Sequence, residues 1–174
     1  MPTLVGLDLS LTSTGICVDG DAESISTKLK GIPRLNCISL MITNRLAGIP
    51  DPAVCIEGYS FGSRNSQAHS IGELGGVVRM ALWKREIPWV DIPPTCRAKF
   101  ATGKGNAAKN EVVSSISART GIVWSGKGAD DMCDAWILEE MGRAHLNMPR
   151  YEWPKINLSA MDKVDWSPFS VYAV

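Results

Sequence analysis

The chain lacks the residue patterns on which thiol-based scaffolds depend. Its five cysteines, at positions 17, 37, 55, 96 and 133, are odd in number, widely spaced and form no C-x-x-C pair. That excludes a disulfide framework and a thiolate zinc site, and it fits a reducing compartment. The two histidines, His69 and His145, stand alone, and His69 is expected on a helix surface and not as a general base. Net charge is absent as well: eighteen acids offset eighteen bases, and no global field draws the molecule to a membrane or a polyanion. No apolar run is long enough to cross a bilayer. The first residues carry neither the basic segment nor the apolar stretch of a secretory leader, so a cytoplasmic protein is expected. Internal repeats and low-complexity segments are missing too.

What is present is enough for one ordinary domain: 174 residues, 45% of them apolar. Residues 3–8 and 14–19 read as strands, and "DGDA" at 19–22 reads as a hairpin turn leading to a third strand over 23–29. From Pro33 the residues Leu35, Ile38, Ile42 and Leu46 recur at helical spacing. "AVCIE" at 53–57 is a short buried strand, followed by the loop "GYSFGSRNS". Helices are expected over 67–84, after the "ATGKGN" loop with Asn106 as cap, and over 131–145, with "IPWVDI" as another strand. The order predicts an α/β fold: a mixed sheet of three antiparallel strands, then parallel strands, flanked by helices. The domain is expected to span 1–146. Residues 147–174, rich in Pro and Trp without a clear period, are expected as an irregular C-terminal tail.

Carboxylates are placed where apolar strands end. The strand Leu4-Val5-Gly6-Leu7 runs into Asp8, and Ala53–Ile56 runs into Glu57. An unpaired buried charge costs several kcal/mol, on the order of an ion's desolvation penalty, so a compensating partner is required. In open α/β sheets ligands gather at this edge. "GADDMCDAW" adds Asp131 and Asp134, three apart and therefore on one helix face, with Asp130 beside them. Each acid taken singly has an ordinary structural reading, as a solvated loop residue or a helix-start acid. Four that can converge match the oxygen ligand set of hard divalent cations, and two such ions suit in-line attack on a phosphodiester.

"GLDLSLTSTG", "IEGYSFG", "TGKGNAAKNEV" and "ADDMCDA", in this order over roughly residues 3–145, resemble the RuvC family of Holliday junction resolvases within the ribonuclease H-like superfamily. The resemblance implies a ribonuclease H-like sheet with Asp8, Glu57, Asp131 and Asp134 as catalytic acids holding Mg²⁺, with Mn²⁺ as substitute and two ions per site. It implies Lys109 near the reacting phosphate, a homodimer, branched DNA as partner with four-way junctions preferred, and products ending in 5′-phosphate and 3′-hydroxyl. The interval from Asp8 to Glu57 is shorter than in the bacterial enzymes, and the tail after Met148 has no counterpart. A diverged, phage-borne branch would show both, acting in a bacterial or phage-infected cytoplasm.

Between Gly58 and Lys109 eight bases face three acids, a basic middle suited to phosphate contacts. Arg64, Arg97, Lys99, Lys104 and Lys109 are the expected DNA-binding bases. Lys104 lies on a glycine loop ahead of a helix start, and Tyr59 and Phe61 are placed to stack on an opened base. Three other readings compete: a nuclease of this fold acting on flaps, forks or RNA–DNA hybrids; a fragment of an actin-like ATPase or sugar kinase, for which one domain is too short; and a non-catalytic junction binder, against which the full set of acids argues.

Overall fold

The computed structural model describes residues 1–59 and 66–172. Its centre is β1 (Thr3–Asp8), hydrogen-bonded on both edges. On one side it pairs antiparallel with β2 (Thr14–Val18), which pairs antiparallel with β3 (Asp21–Ile25). On the other it pairs parallel with β4 (Pro52–Glu57), which pairs parallel with β5 (Trp89–Ile92). The sheet order is β3-β2-β1-β4-β5, the expected mixed sheet. The β2–β3 link turns on Asp19 and Gly20, both at positive φ, the two-residue geometry that follows the natural twist of a hairpin.

Side chains alternate across a strand, and that parity divides the core. Val5, Leu7, Ile16, Val18, Val54 and Ile56 face one cluster, shared with helices α1 (Gly31–Leu46) and α2 (Ser66–Trp83). Leu4, Cys17, Ala53 and Cys55 face the other, filled by Trp136, Ile137 and Met141 of a long helix, Ala129–His145. Asp8 follows the parity of Leu4, and Glu57 that of Ala53 and Cys55. Both acids therefore point to the face on which the long helix lies.

Two more helices fill the chain between β5 and the long helix: α3 (Pro94–Thr102) and α4 (Lys109–Thr120). The long helix is α5. Helix α3 is not expected from the sequence, where residues 93–100 carry no predicted element and the residues that follow read as a loop. Pro94 in its first turn and Gly103 in the left-handed conformation after its end are its start and stop. Helix α4 begins after Ala108, not Asn106; Glu111 Oε2 accepts from the Ala108 N–H at 2.8 Å, so the cap comes from the third helical residue. Strand β3 ends at Ile25, four residues short of the expected bound.

Residues 147–172 hold a four-residue helix, α6 (Lys155–Leu158), and 3₁₀ turns at Met161–Lys163 and Ser167–Tyr172. They are packed chain: Trp153, Ala160, Val164 and Phe169 are buried in the α5-side core. Trp153 sits 4.2 Å from Phe100 between ring centroids. No helix among the described residues is long and apolar enough to cross a membrane.

Candidate active site

Backbone contact brings the acids together. A Cβ on Gly6 would stand 1.8 Å from the Ala135 carbonyl oxygen, and one on Gly15 2.0 Å from that of Asp131. Only glycine permits this approach, so the first turns of α5 lie directly on β1 and β2. Asp131 and Asp134 are thereby held over the end of β1. Leu7 pairs with Ile56, so Asp8 and Glu57 are the next residues on neighbouring parallel strands. The loop between β1 and β2 is closed by its own hydroxyls: Thr14 Oγ1 donates to the Ser10 carbonyl at 2.7 Å and accepts from the Ser10 N–H at 3.1 Å. Ser13 Oγ meets Ser24 Oγ at 2.7 Å.

Asp8 and Asp134 are 6% and 3% exposed. Between Glu57 and Asp134 lies Arg97 of α3, only 8% exposed. Its Nε donates to Glu57 Oε1 and its Nη1 to Asp134 Oδ1. Burial, then the charges of Glu57 and Asp134, push the Asp8 carboxyl well above the usual range, with Arg97 only partly offsetting them. Burial also pushes Asp134 up to about 7, opposed by Arg97 and reinforced by Glu57. Asp131, half-buried, is raised chiefly by burial, with the Ser13 hydroxyl offsetting part of it. Burial opposes the Arg97 charge, but Glu57 and Asp134 outweigh it.

At the rim, Lys109 Nζ donates to Asp130 Oδ2 at 3.0 Å. That bond is the main cause of the lowered Asp130 pKa. Burial opposes the Lys109 charge, but the bond to Asp130, with the charges of Asp130, Asp134 and Asp131, raises its pKa.

No protein-family model matches the chain. It is 28% identical over 151 residues to the crossover junction endodeoxyribonuclease RuvC of Prochlorococcus marinus (strain NATL1A), covering 80% of this chain and 96% of that protein. To the enzyme of the same name from Carboxydothermus hydrogenoformans it is 26% identical over 140 residues, covering 80% and 88%. The fold superposes on T. thermophilus RuvC in complex with Holliday junction substrate with a TM-score of 0.67, at 20% identity, over 87% of this chain and 100% of that one. A second Thermus thermophilus RuvC structure gives a TM-score of 0.66, also at 20% identity. The chain is RuvC-like.

In this RuvC-like fold Asp8, Glu57, Asp131 and Asp134 are brought to one strand edge, and Lys109 stands at its rim. Arg97, expected at the DNA, is instead buried in the acid cluster, because the unforeseen helix α3 turns it inward. Tyr59 is exposed. Its hydroxyl donates to the Gly72 carbonyl at 3.3 Å, and Arg79 lies 4.7 Å from its ring centroid. Lys99 is half-buried, and Lys104 is exposed. Phe61 and Arg64 lie outside the described residues.

The donor set fits a hard divalent cation in kind. Four carboxylates come together from three elements, and Glu57 and Asp134 hold one buried base between them. As the side chains stand, no three acidic, histidine or cysteine groups among the described residues form a ready cage, and Arg97 occupies two of the four carboxylates.

Proposed function

We propose that the chain is a structure-selective endodeoxyribonuclease that resolves four-way (Holliday) junctions by metal-dependent phosphodiester hydrolysis in a bacterial or phage-infected cytoplasm. The observation that carries this reading is the meeting of Asp8, Glu57, Asp131 and Asp134 at the strand edge of a RuvC-like fold. Asp8, Glu57, Asp131 and Asp134 would hold Mg²⁺, or Mn²⁺ in its place, as two ions. The chemistry such ions would supply is activation of water and stabilisation of the leaving 3′-oxygen, which would give 5′-phosphate and 3′-hydroxyl ends. Asp130 restrains Lys109 at the rim, where its ammonium would meet the charge that develops on the phosphate. Exposed Lys104, on the turn between α3 and α4, would contact the backbone, with affinity falling as salt rises.

A four-way junction is cut on two opposed strands, and one cluster of acids makes one cut. A homodimer supplies the second. The apolar residues Leu40, Met41, Val77, Met80 and Trp83 are exposed on α1 and α2, beside a groove of about 460 Å³ between these helices. A second copy of the chain is the occupant that a two-fold substrate requires.

The test is a cleavage panel of labelled four-way junction, three-way junction, flap, fork, RNA–DNA hybrid and duplex, with Mg²⁺ and with Mn²⁺. Wild type should cut the four-way junction first, in paired nicks. Asp8→Asn should keep junction affinity and lose cleavage, because phosphate contacts come from bases and not from this acid. Preference for flap or fork would transfer the assignment to that substrate; no cleavage with either metal would end the nuclease reading.

A further inference from the structure

Among the described residues Arg97 is the one base buried within the acid cluster, and its chemistry makes it more than a neutral filler. Helix α3 fixes its position. The Cys96 and Arg97 N–H groups both bond to the Pro93 carbonyl, at 2.8 and 3.1 Å, and Phe100 and Ala101 anchor the same helix in the core. The side chain ties the end of β4, through Glu57, to the first turns of α5, through Asp134. A guanidinium stays charged at any working pH, so the pairing cannot be released by proton loss. Its planar fork serves both carboxylates at once, which an ammonium does as a single point charge. Lys109, a second base near the cluster, is turned to Asp130.

We infer that Arg97 is the protein's own counter-ion for the carboxylate cluster, a positioning residue that a divalent cation must displace, because its guanidinium occupies oxygens of Glu57 and Asp134, two of the four acids that would hold such a cation. The inference rests on the reading of the cluster as a cation site. It accounts for why four convergent acids form no cage as they stand: Arg97 holds two of them. It also separates two jobs. Without a cation, Arg97 keeps β4, α3 and α5 docked against the mutual repulsion of the acids. With a cation, that repulsion is relieved by a larger charge, and the guanidinium leaves the oxygens it held.

The experiment follows Arg97 itself. In the full-length wild-type protein, the Arg97 Nε–H resonance, assigned by its loss in Arg97→Lys, is observed during a Mg²⁺ titration at fixed pH without DNA. The signal should start protected from solvent exchange and lose that protection as Mg²⁺ raises the melting temperature. A signal unchanged while the melting temperature rises, or no Mg²⁺ effect on either, overturns the inference. As a second measurement, Mn²⁺ affinity is read by electron paramagnetic resonance for wild type and Arg97→Gln. The variant should bind about tenfold more tightly or better, since the competing charge is gone; equal or weaker binding overturns the inference. Should Arg97→Gln not fold, the resonance in wild type decides alone. Neither readout involves cleavage. A displaced Arg97 in a protein that cuts nothing would sink the nuclease reading and leave this one standing, and a static Arg97 in an active nuclease would do the reverse.

Discussion

Burying Asp8 beside Glu57 and Asp134 raises its carboxyl well above the usual range, so in the cation-free protein the ionised cluster works against folding. The sign can be worked from Asp134. Its carboxyl is pushed up to about 7 in the folded chain against 3.8 in the unfolded one. Between those values the folded state holds a proton that the unfolded state has released, so stability falls as pH rises through the window and levels off above it. Thermal melts in a chelator should therefore show a melting temperature that declines from about pH 4 to about pH 7. Asp8→Asn should raise the metal-free melting temperature at neutral pH and flatten that decline. A melting temperature that climbs through the window, or an Asp8→Asn variant less stable than wild type, would mean these carboxylates are stabilising partners. The two strand-end acids and the Asp131–Asp134 pair were legible in the sequence because parity and helical spacing fix where such residues point. Arg97 was not. Its direction depends on a helix whose residues carry no apolar period, so it read as one more DNA-binding base.

Elements place these residues by contact of backbone on backbone, and there the glycines decide. Gly6 faces the Ala135 carbonyl and Gly15 that of Asp131, so α5 has no slack to accept a methyl group without lifting from the sheet. Overpacking a well-filled core costs ~1–3 kcal/mol, and more where backbone is the obstacle. Gly6→Ala should lie at or above that range in urea unfolding, and it should reduce cleavage beyond what the remaining folded fraction explains, because Asp131 and Asp134 ride on the displaced helix. An alanine variant with wild-type stability would refute the close docking. The sheet and four of the principal helices were readable from apolar period and from the Asp19–Gly20 turn. Helix α3 escaped because its nine residues are bounded by Pro and Gly without an amphipathic stripe. Those two punctuation marks, Pro in the first turn and Gly past the end, were the signal available for it.

Across the whole molecule, two arrangements stand outside the acid cluster. One is the anchoring of residues 147–172. Glu139 and Glu140 of α5 are fully buried; Arg150 pairs with both, at 2.7 and 3.2 Å, and Trp153 Nε1 donates to Glu140 at 3.1 Å. No sequence period announces this segment, because its hold is a buried charge network and scattered aromatics. Arg150→Ala leaves buried Glu140 without its cation and Glu139 with Arg143 alone, at 3.6 Å, and should cost ~3–5 kcal/mol in denaturant unfolding; a loss under about 1 kcal/mol would mark the pairing as dispensable. The other arrangement is the α1–α2 face, on the side of the sheet away from α5. Met80 and Trp83 are 53% and 66% exposed there, and a monomer gains nothing from showing them to water. If this face joins two copies, a charge placed on it should separate them without touching either acid cluster. Met80→Glu should therefore sediment as a monomer where wild type is a dimer, keep its fold by circular dichroism, and convert paired cuts on a symmetric four-way junction into single nicks. A wild-type protein that sediments as a monomer both free and on the junction, or a Met80→Glu variant that still dimerises and cuts in pairs, would place the partner surface elsewhere.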